Sequence, residues 1–197
     1  MPTASPSRRA QKSEEIRARI LGAAQAIFQA EGSAGLTMRA VARRAQIPTM
    51  TIYGYFPSKV ALIRSLWSLA FDPLFEALQA VAAEPAEPAE RLAKVAQAYV
   101  RYWCERPDLY RMVFLVEDTR EEGDGGWFVE QTDVIQSYLL VERLIAKARG
   151  MQEGDCLRQG EALICALTGV AHMAVTVSEY PWGPPEDYAA ILAHGMV

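Results

Sequence analysis

The sequence predicts an all-α protein of two domains, a small N-terminal three-helix unit followed by a larger helical one. Three observations carry this. Apolar residues recur at the 3.6-residue spacing of a helix, and no useful stretch shows the period-two alternation of a half-buried strand. Glycine and proline fall where helices must end and restart, as at Gly32, Pro48, Pro57 and Pro88. Charge divides the chain: residues 1–64 hold 10 Lys/Arg against three acids, and the rest holds 10 bases against 21 acids, within a net charge of −4. A chain of 197 residues, 51% apolar and 22% charged, has ordinary globular composition, which excludes extensive disorder.

Taken in order, residues 1–11 read as a flexible basic tail with two prolines and two arginines. From Lys12, the residues Ile16, Ile20, Ala23, Ala24, Ile27 and Phe28 form one helical stripe, and Gly32 is expected to end it as a left-handed cap. Ser33–Leu36 then reads as a connection. Thr37 is a good N-cap for a second helix through Ala45. Ile47-Pro48 breaks that helix, and a third, very short one opens at Pro48 or Thr49 and runs to about Tyr55. Ser58 caps a fourth from Lys59, in which Pro73 must form a kink or an end. Glu84–Pro88 reads as a linker. Further helices are expected over 89–105, 107–117, 127–149, 155–179 and 185–195, with 118–126 a solvated loop.

The longest apolar-biased run, Ala162–Val175, falls short of the ~20 residues that cross a bilayer. The first residues carry charge with no apolar core behind them and do not read as a signal peptide. Three scattered cysteines suggest neither a disulfide framework nor zinc, so a cytoplasmic protein without membrane contact is expected. No phosphate loop, nucleophile elbow or paired-carboxylate arrangement points to an enzyme, and no cofactor or metal is expected. Cys104 and Cys165 read as packing residues and Cys156, beside Asp155, as exposed.

Residues 37–56 fit a helix-turn-helix. Ala42 supplies the small residue where two helices touch, and Val41, Ile47 and Ile52 supply apolar plugs around the turn. Thr49, Met50, Thr51, Tyr53 and Tyr55 are the short polar and aromatic residues that a helix can present to the major groove. An αα-corner without a ligand has the same periodicity. The seven excess positive charges of residues 1–64, which include this segment, favour a polyanion.

Ile20–Phe28, then Leu36-Thr37-Met38-Arg39-x-Val41-Ala42, then Thr51-Ile52-Tyr53-x-Tyr55-Phe56-Pro57-Ser58-Lys59-x-x-Leu62 resemble the DNA-binding domain of the TetR family of transcriptional regulators. The resemblance spans about residues 13–64. It implies a homodimer that binds a palindromic operator of double-stranded DNA and is released by a small molecule held in the divergent C-terminal domain. Residues 1–60 would be the DNA-binding domain, and 61–197 the ligand-binding and dimerisation domain. The resemblance places Thr37 and Lys59 on phosphates at helix starts and Tyr53 on the backbone, where helix N-termini are ready anion sites. Arg39 is a further DNA-binding candidate; Thr49, Met50, Thr51 and Tyr55 are left for base edges, and Phe56 is a core aromatic. Three positions depart from the family pattern: Gln46 for a turn glycine, Pro48 for a serine cap and Gly54 for a larger residue. At Gln46 the backbone either bears ~1 kcal/mol of strain or avoids the left-handed region.

An apolar effector would be lined by two or three aromatics of the C-terminal part, with Trp67, Phe71, Phe75, Trp103 and Phe114 as candidates and His172 as a polar group. Core packing is the other reading for each. The helix from Lys59 joins the domains and would carry the effector's signal. The helices 155–179 and 185–195 are expected to form the dimer interface, because the first is apolar on more than one face. The rival reading is a helical ligand-binding or scaffold protein that has lost operator binding, with Gln46, Pro48 and Gly54 as traces of the loss.

Overall fold

The computed structural model describes residues 7–115, 134–177 and 179–197, and among these residues there are nine α-helices and no strand. Contacts divide them into two units: the first runs to Ser68 and includes Phe114 and Leu115, and the second comprises Leu69–Val113 with the residues from 134 onward. The expected loop 118–126 and the start of the helix expected from 127 lie outside the described residues.

In the first unit, α1 (Arg8–Gly35) starts four residues before the periodicity suggests, so Arg8–Gln11 are helical rather than part of a tail. Gly32 has φ 67 and ψ −165, a backbone region that a side chain disfavours, but the helix resumes past it for one turn rather than ending there. α2 (Met38–Ala45) and α3 (Thr49–Tyr53) follow as expected, although α3 stops two residues earlier. Ile20, Ala24, Ile27, Leu36, Val41, Ile52 and Phe56 make up the buried core.

α4 (Lys59–Ala82) carries residues of both units and runs through Pro73, which does not end it. The buried row Leu66, Ala70, Leu74 and Leu78 continues at four-residue spacing across the proline, and this burial outweighs the ~3 kcal/mol that an interior proline costs. Near the break in the backbone ladder, the Tyr102 hydroxyl donates to the Ala70 carbonyl at 2.5 Å.

The second unit is built on α5 (Pro88–Cys104), whose first-turn proline suits a helix start and whose buried face includes Leu92, Val95, Tyr99 and Trp103. α6 (Pro107–Phe114) ends earlier than expected. α7 (Val134–Arg149), α8 (Leu157–Thr176) and α9 (Pro185–His194) complete the unit, with α7, α8 and α9 all packed on α5. Arg101 on α5 pairs with Glu186 on α9 at 3.2 Å. Glu142, buried on α7, accepts a hydrogen bond from the Gly154 N–H at 2.6 Å and so holds the turn that leads into α8.

The cysteines reverse their expected exposure. Cys165 is exposed and Cys156 is fully buried beside Met151, while Cys104 is half-buried. Neighbouring sequence misled here: Cys156 immediately precedes α8 at its packed end, whereas Cys165 falls on the outward stripe of the same helix.

Candidate nucleic-acid interface

The start of α2 is set by Thr37, whose backbone is extended (φ −125, ψ 151) and whose Oγ1 accepts from the Ala40 N–H at 3.1 Å. That bond uses an oxygen lone pair and leaves the hydroxyl proton available at a helix N-terminus, where the field favours an anion. Arg39, Arg43 and Arg44 are exposed along α2. The first residue of α4 is the exposed Lys59, and Ser58 caps that helix, its Oγ accepting from the Ala61 N–H at 3.1 Å.

Between these two helix starts lies the turn and α3. α2 closes with Gln46 in the left-handed region (φ 53, ψ 46), so of the two alternatives for Gln46 the strained one is adopted. The Ile47 N–H reaches the Ala42 carbonyl at 3.0 Å and the Gln46 N–H the Arg43 carbonyl at 3.3 Å, which together make a Schellman cap. Pro48 precedes α3 with φ −57 and offers no side-chain cap. α3 is too short to fix its own direction. Ile52 and Phe56 are buried beneath it, one turn apart, and the Arg17 guanidinium covers the Phe56 ring at 4.8 Å while donating to Ser65 Oγ at 3.2 Å. With Ile52 inward, Met50 and Tyr53 point out, at 80% and 45% exposure, and Thr49, Thr51 and Tyr55 are half-exposed. All eight positions singled out from sequence thus lie in the first unit with surface access. Two supporting residues escaped the sequence reading: Arg17 and Arg19, whose partners are 26 to 48 residues away.

The aromatic candidates separate. Phe71, Phe75 and Trp103 form one cluster in the second unit, where the Trp103 ring meets Phe71, Tyr99, Tyr102 and Tyr110 edge-on at 5.2–6.4 Å. The Phe71 and Phe75 rings stack at 5.7 Å. Polar heads converge at one side of the cluster. Tyr99 Oη lies 2.8 Å from Thr168 Oγ1, and Tyr110 Oη lies 3.2 Å from His172 Nδ1. Burial pushes the Tyr110 hydroxyl up to about 12, aided by the nearby Cys104 thiol. Trp67 is buried within the first unit, and Phe114, also of that unit, is 36% exposed.

α8 and α9 leave an apolar groove of about 390 Å³ lined by Gly169, Val170, Met173, Trp182, Tyr188 and Ile191 among others. Among the described residues no group of three His, Cys, Asp or Glu is placed to hold a metal ion, and no helix is long and apolar enough to cross a membrane.

A basic three-helix unit with an exposed second helix after a tight turn defines a helix-turn-helix protein. Residues 20–66 match the family described as bacterial regulatory proteins, tetR family, and this N-terminal segment is a domain of that family. The HTH-type transcriptional repressor KstR of Mycolicibacterium smegmatis is 47% identical over 58 residues, 29% of this chain and 28% of the repressor. The match therefore spans under a third of the curated relative's length. Solved structures share the whole fold at low identity. A TetR-like transcriptional regulator from Rhodococcus sp. RHA1 has a TM-score of 0.64 at 20% identity, with 96% of each chain covered. The transcriptional regulator FadR from Bacillus subtilis, in complex with stearoyl-CoA, has a TM-score of 0.67 at 17% identity, covering 92% of this chain and 97% of its own.

Proposed function

We propose that the protein is a transcriptional repressor that binds a palindromic operator as a homodimer and is released by a small, largely apolar effector. The observation that carries this reading is α3, which leaves Met50 and Tyr53 in solvent while Ile52 and Phe56 anchor its other face. Met50 at 80% exposure stands free to enter a groove, and its methyl group suits a thymine methyl. Thr37, Arg39, Tyr53 and Lys59 would hold phosphates; Thr49, Met50, Thr51 and Tyr55 would read bases. Residues 1–60 are the proposed DNA-binding domain and 61–197 the domain for effector and partner.

The proposed effector site draws on Phe71, Phe75, Trp103 and His172, with Trp67 and Phe114 the outlying candidates. A likeness of fold to a regulator that holds stearoyl-CoA supports an apolar effector without naming one. The second copy is proposed to cover the groove between α8 and α9, where apolar side chains are otherwise left to water.

The test is to select duplexes from a random library with the wild-type protein, then titrate the selected duplex at several salt concentrations. Lys59→Ala should weaken binding to all sequences alike and reduce the slope of log K against log salt by about 0.9 for each phosphate no longer neutralised. Thr51→Ala should instead cost ~1–3 kcal/mol at particular bases. Failure of the wild type to enrich any sequence would leave the scaffold reading in its place.

A further inference from the structure

The carbonyls that end α2 need donors once the chain turns away, because the last turn of a helix has no amide partners of its own. The Schellman cap supplies two of them, at Ala42 and Arg43. Further outward, past Arg44, lie the carbonyls of Ala45 and Gln46, and one amino group of Arg19 on α1 lies on both. Arg19 Nη2 donates to the Ala45 carbonyl at 2.8 Å and to the Gln46 carbonyl at 3.3 Å. A cation is also the favoured charge at a helix C-terminus.

This clamp sits where the backbone most needs it. Gln46 holds φ 53, a conformation natural to glycine and strained for glutamine. The same cap recurs at the end of α7, where the left-handed position is held by a glycine, Gly150 at φ 66, and the Met151 N–H reaches the Ala146 carbonyl at 2.8 Å. At the end of α2 the left-handed position is held by a glutamine instead, and there the Arg19 guanidinium binds the turn. Only Ile47 and Pro48 separate that turn from α3, so a shift in the Gln46 carbonyl passes directly to the direction of the recognition helix.

We propose that Arg19 is a positioning residue of the helix-turn-helix: it compensates for the left-handed Gln46 and fixes the angle at which α3 meets DNA. This rests on the reading of α3 as the DNA-facing helix. The competing role for an exposed arginine on a basic unit is direct neutralisation of a phosphate. The two differ in their salt dependence. Removing a phosphate-binding cation flattens the slope of log K against log salt by about 0.9, while removing a positioning residue leaves it unchanged.

The experiment uses the full chain as wild type, Arg19→Gln, Arg19→Lys, Gln46→Gly and the double variant Arg19→Gln/Gln46→Gly. Two probes serve: the duplex that the wild type selects from a random library, and a mixed-sequence duplex. Arg19→Gln is expected to bind the selected duplex ~10-fold more weakly, equal to about 1.4 kcal/mol, with its affinity for the mixed duplex and its salt slope unchanged. Arg19→Lys, which keeps one donor, should recover part of the loss. In the Gln46→Gly background the loss should shrink, because glycine holds the turn without help. A slope flatter by about one unit, equal losses on both duplexes, or the same loss in both backgrounds would overturn the proposal. Amide hydrogen exchange without DNA keeps the two readings apart. Exchange at Ile47–Tyr53 should quicken in Arg19→Gln beyond any global change, and unchanged exchange there refutes the clamp whether or not the protein binds DNA. Should the wild type select no duplex, the DNA reading fails, and exchange alone decides for or against the clamp.

Discussion

Replacing Ile191 by aspartate separates the stability of the chain from its proposed self-association. Ile191 lies on α9 at the edge of the α8–α9 groove and is 69% exposed in the single chain. An aspartate there stays in water in the monomer, so folding should change by less than about 0.5 kcal/mol. In a two-fold dimer the same position occurs twice. Each isoleucine that is buried contributes ~1.5–3 kcal/mol, and each aspartate in its place also leaves water without a partner. The dimer should therefore weaken by ~3–6 kcal/mol, or roughly two to four powers of ten in Kd. Sedimentation equilibrium over nanomolar to micromolar chain would report it: the wild type as twice the 21.8 kDa chain, the variant as the chain itself. Thermal unfolding at a concentration where both are monomeric checks that the fold is intact. A variant that dimerises as tightly as the wild type would refute this use of the groove.

Gly22 occupies the interior of α1, and a Cβ added there would meet nothing within 4 Å, so Gly22→Ala should raise stability by ~0.5–1 kcal/mol in urea titration. Tyr110 is buried and its hydroxyl is raised from 10 to about 12. Above pH 10 the unfolded chain releases this proton while the folded chain retains it, so stability falls as pH rises through that window by up to ~1.4 kcal/mol per unit. Below pH 10 the group contributes no slope. In Tyr110→Phe this component should vanish from the alkaline stability profile. An identical profile in wild type and variant would refute the assignment.

The helix-turn-helix was legible because its signals are local. Thr37 caps three residues ahead, Ile47-Pro48 forces a break, and Ile52 and Phe56 lie one turn apart. The exposure of Met50 followed from the burial of Ile52 two positions on, by helix period alone. What escaped was decided by distant partners. Pro73 reads locally as a kink or an end with nothing to decide between them, and the apolar row on either side of it is what keeps α4 helical. Cys156 and Cys165 exchanged their expected burial because exposure depends on how neighbouring elements cover the start and the faces of α8. Arg17 and Arg19 carried only a basic signal in sequence, and their tasks on Phe56 and on the turn required the packed unit.

The second unit shows why aromatic content alone cannot separate core from binding site. Trp103 has no exposed surface and is ringed by four aromatic side chains, an arrangement that a close-packed interior produces without any ligand. Beside it stand groups that packing does not require: Tyr99, Tyr110, Thr168 and His172 bring polar heads into largely apolar surroundings. Each costs desolvation free energy that a leucine or phenylalanine would avoid, and their mutual hydrogen bonds return only part of it. Polar groups satisfied by one another can instead be satisfied by a ligand's oxygen at similar free energy, so the exchange is close to neutral while the ligand's apolar body adds burial. That asymmetry favours His172 and its tyrosine partners over the buried indole as the place where an effector would be recognised.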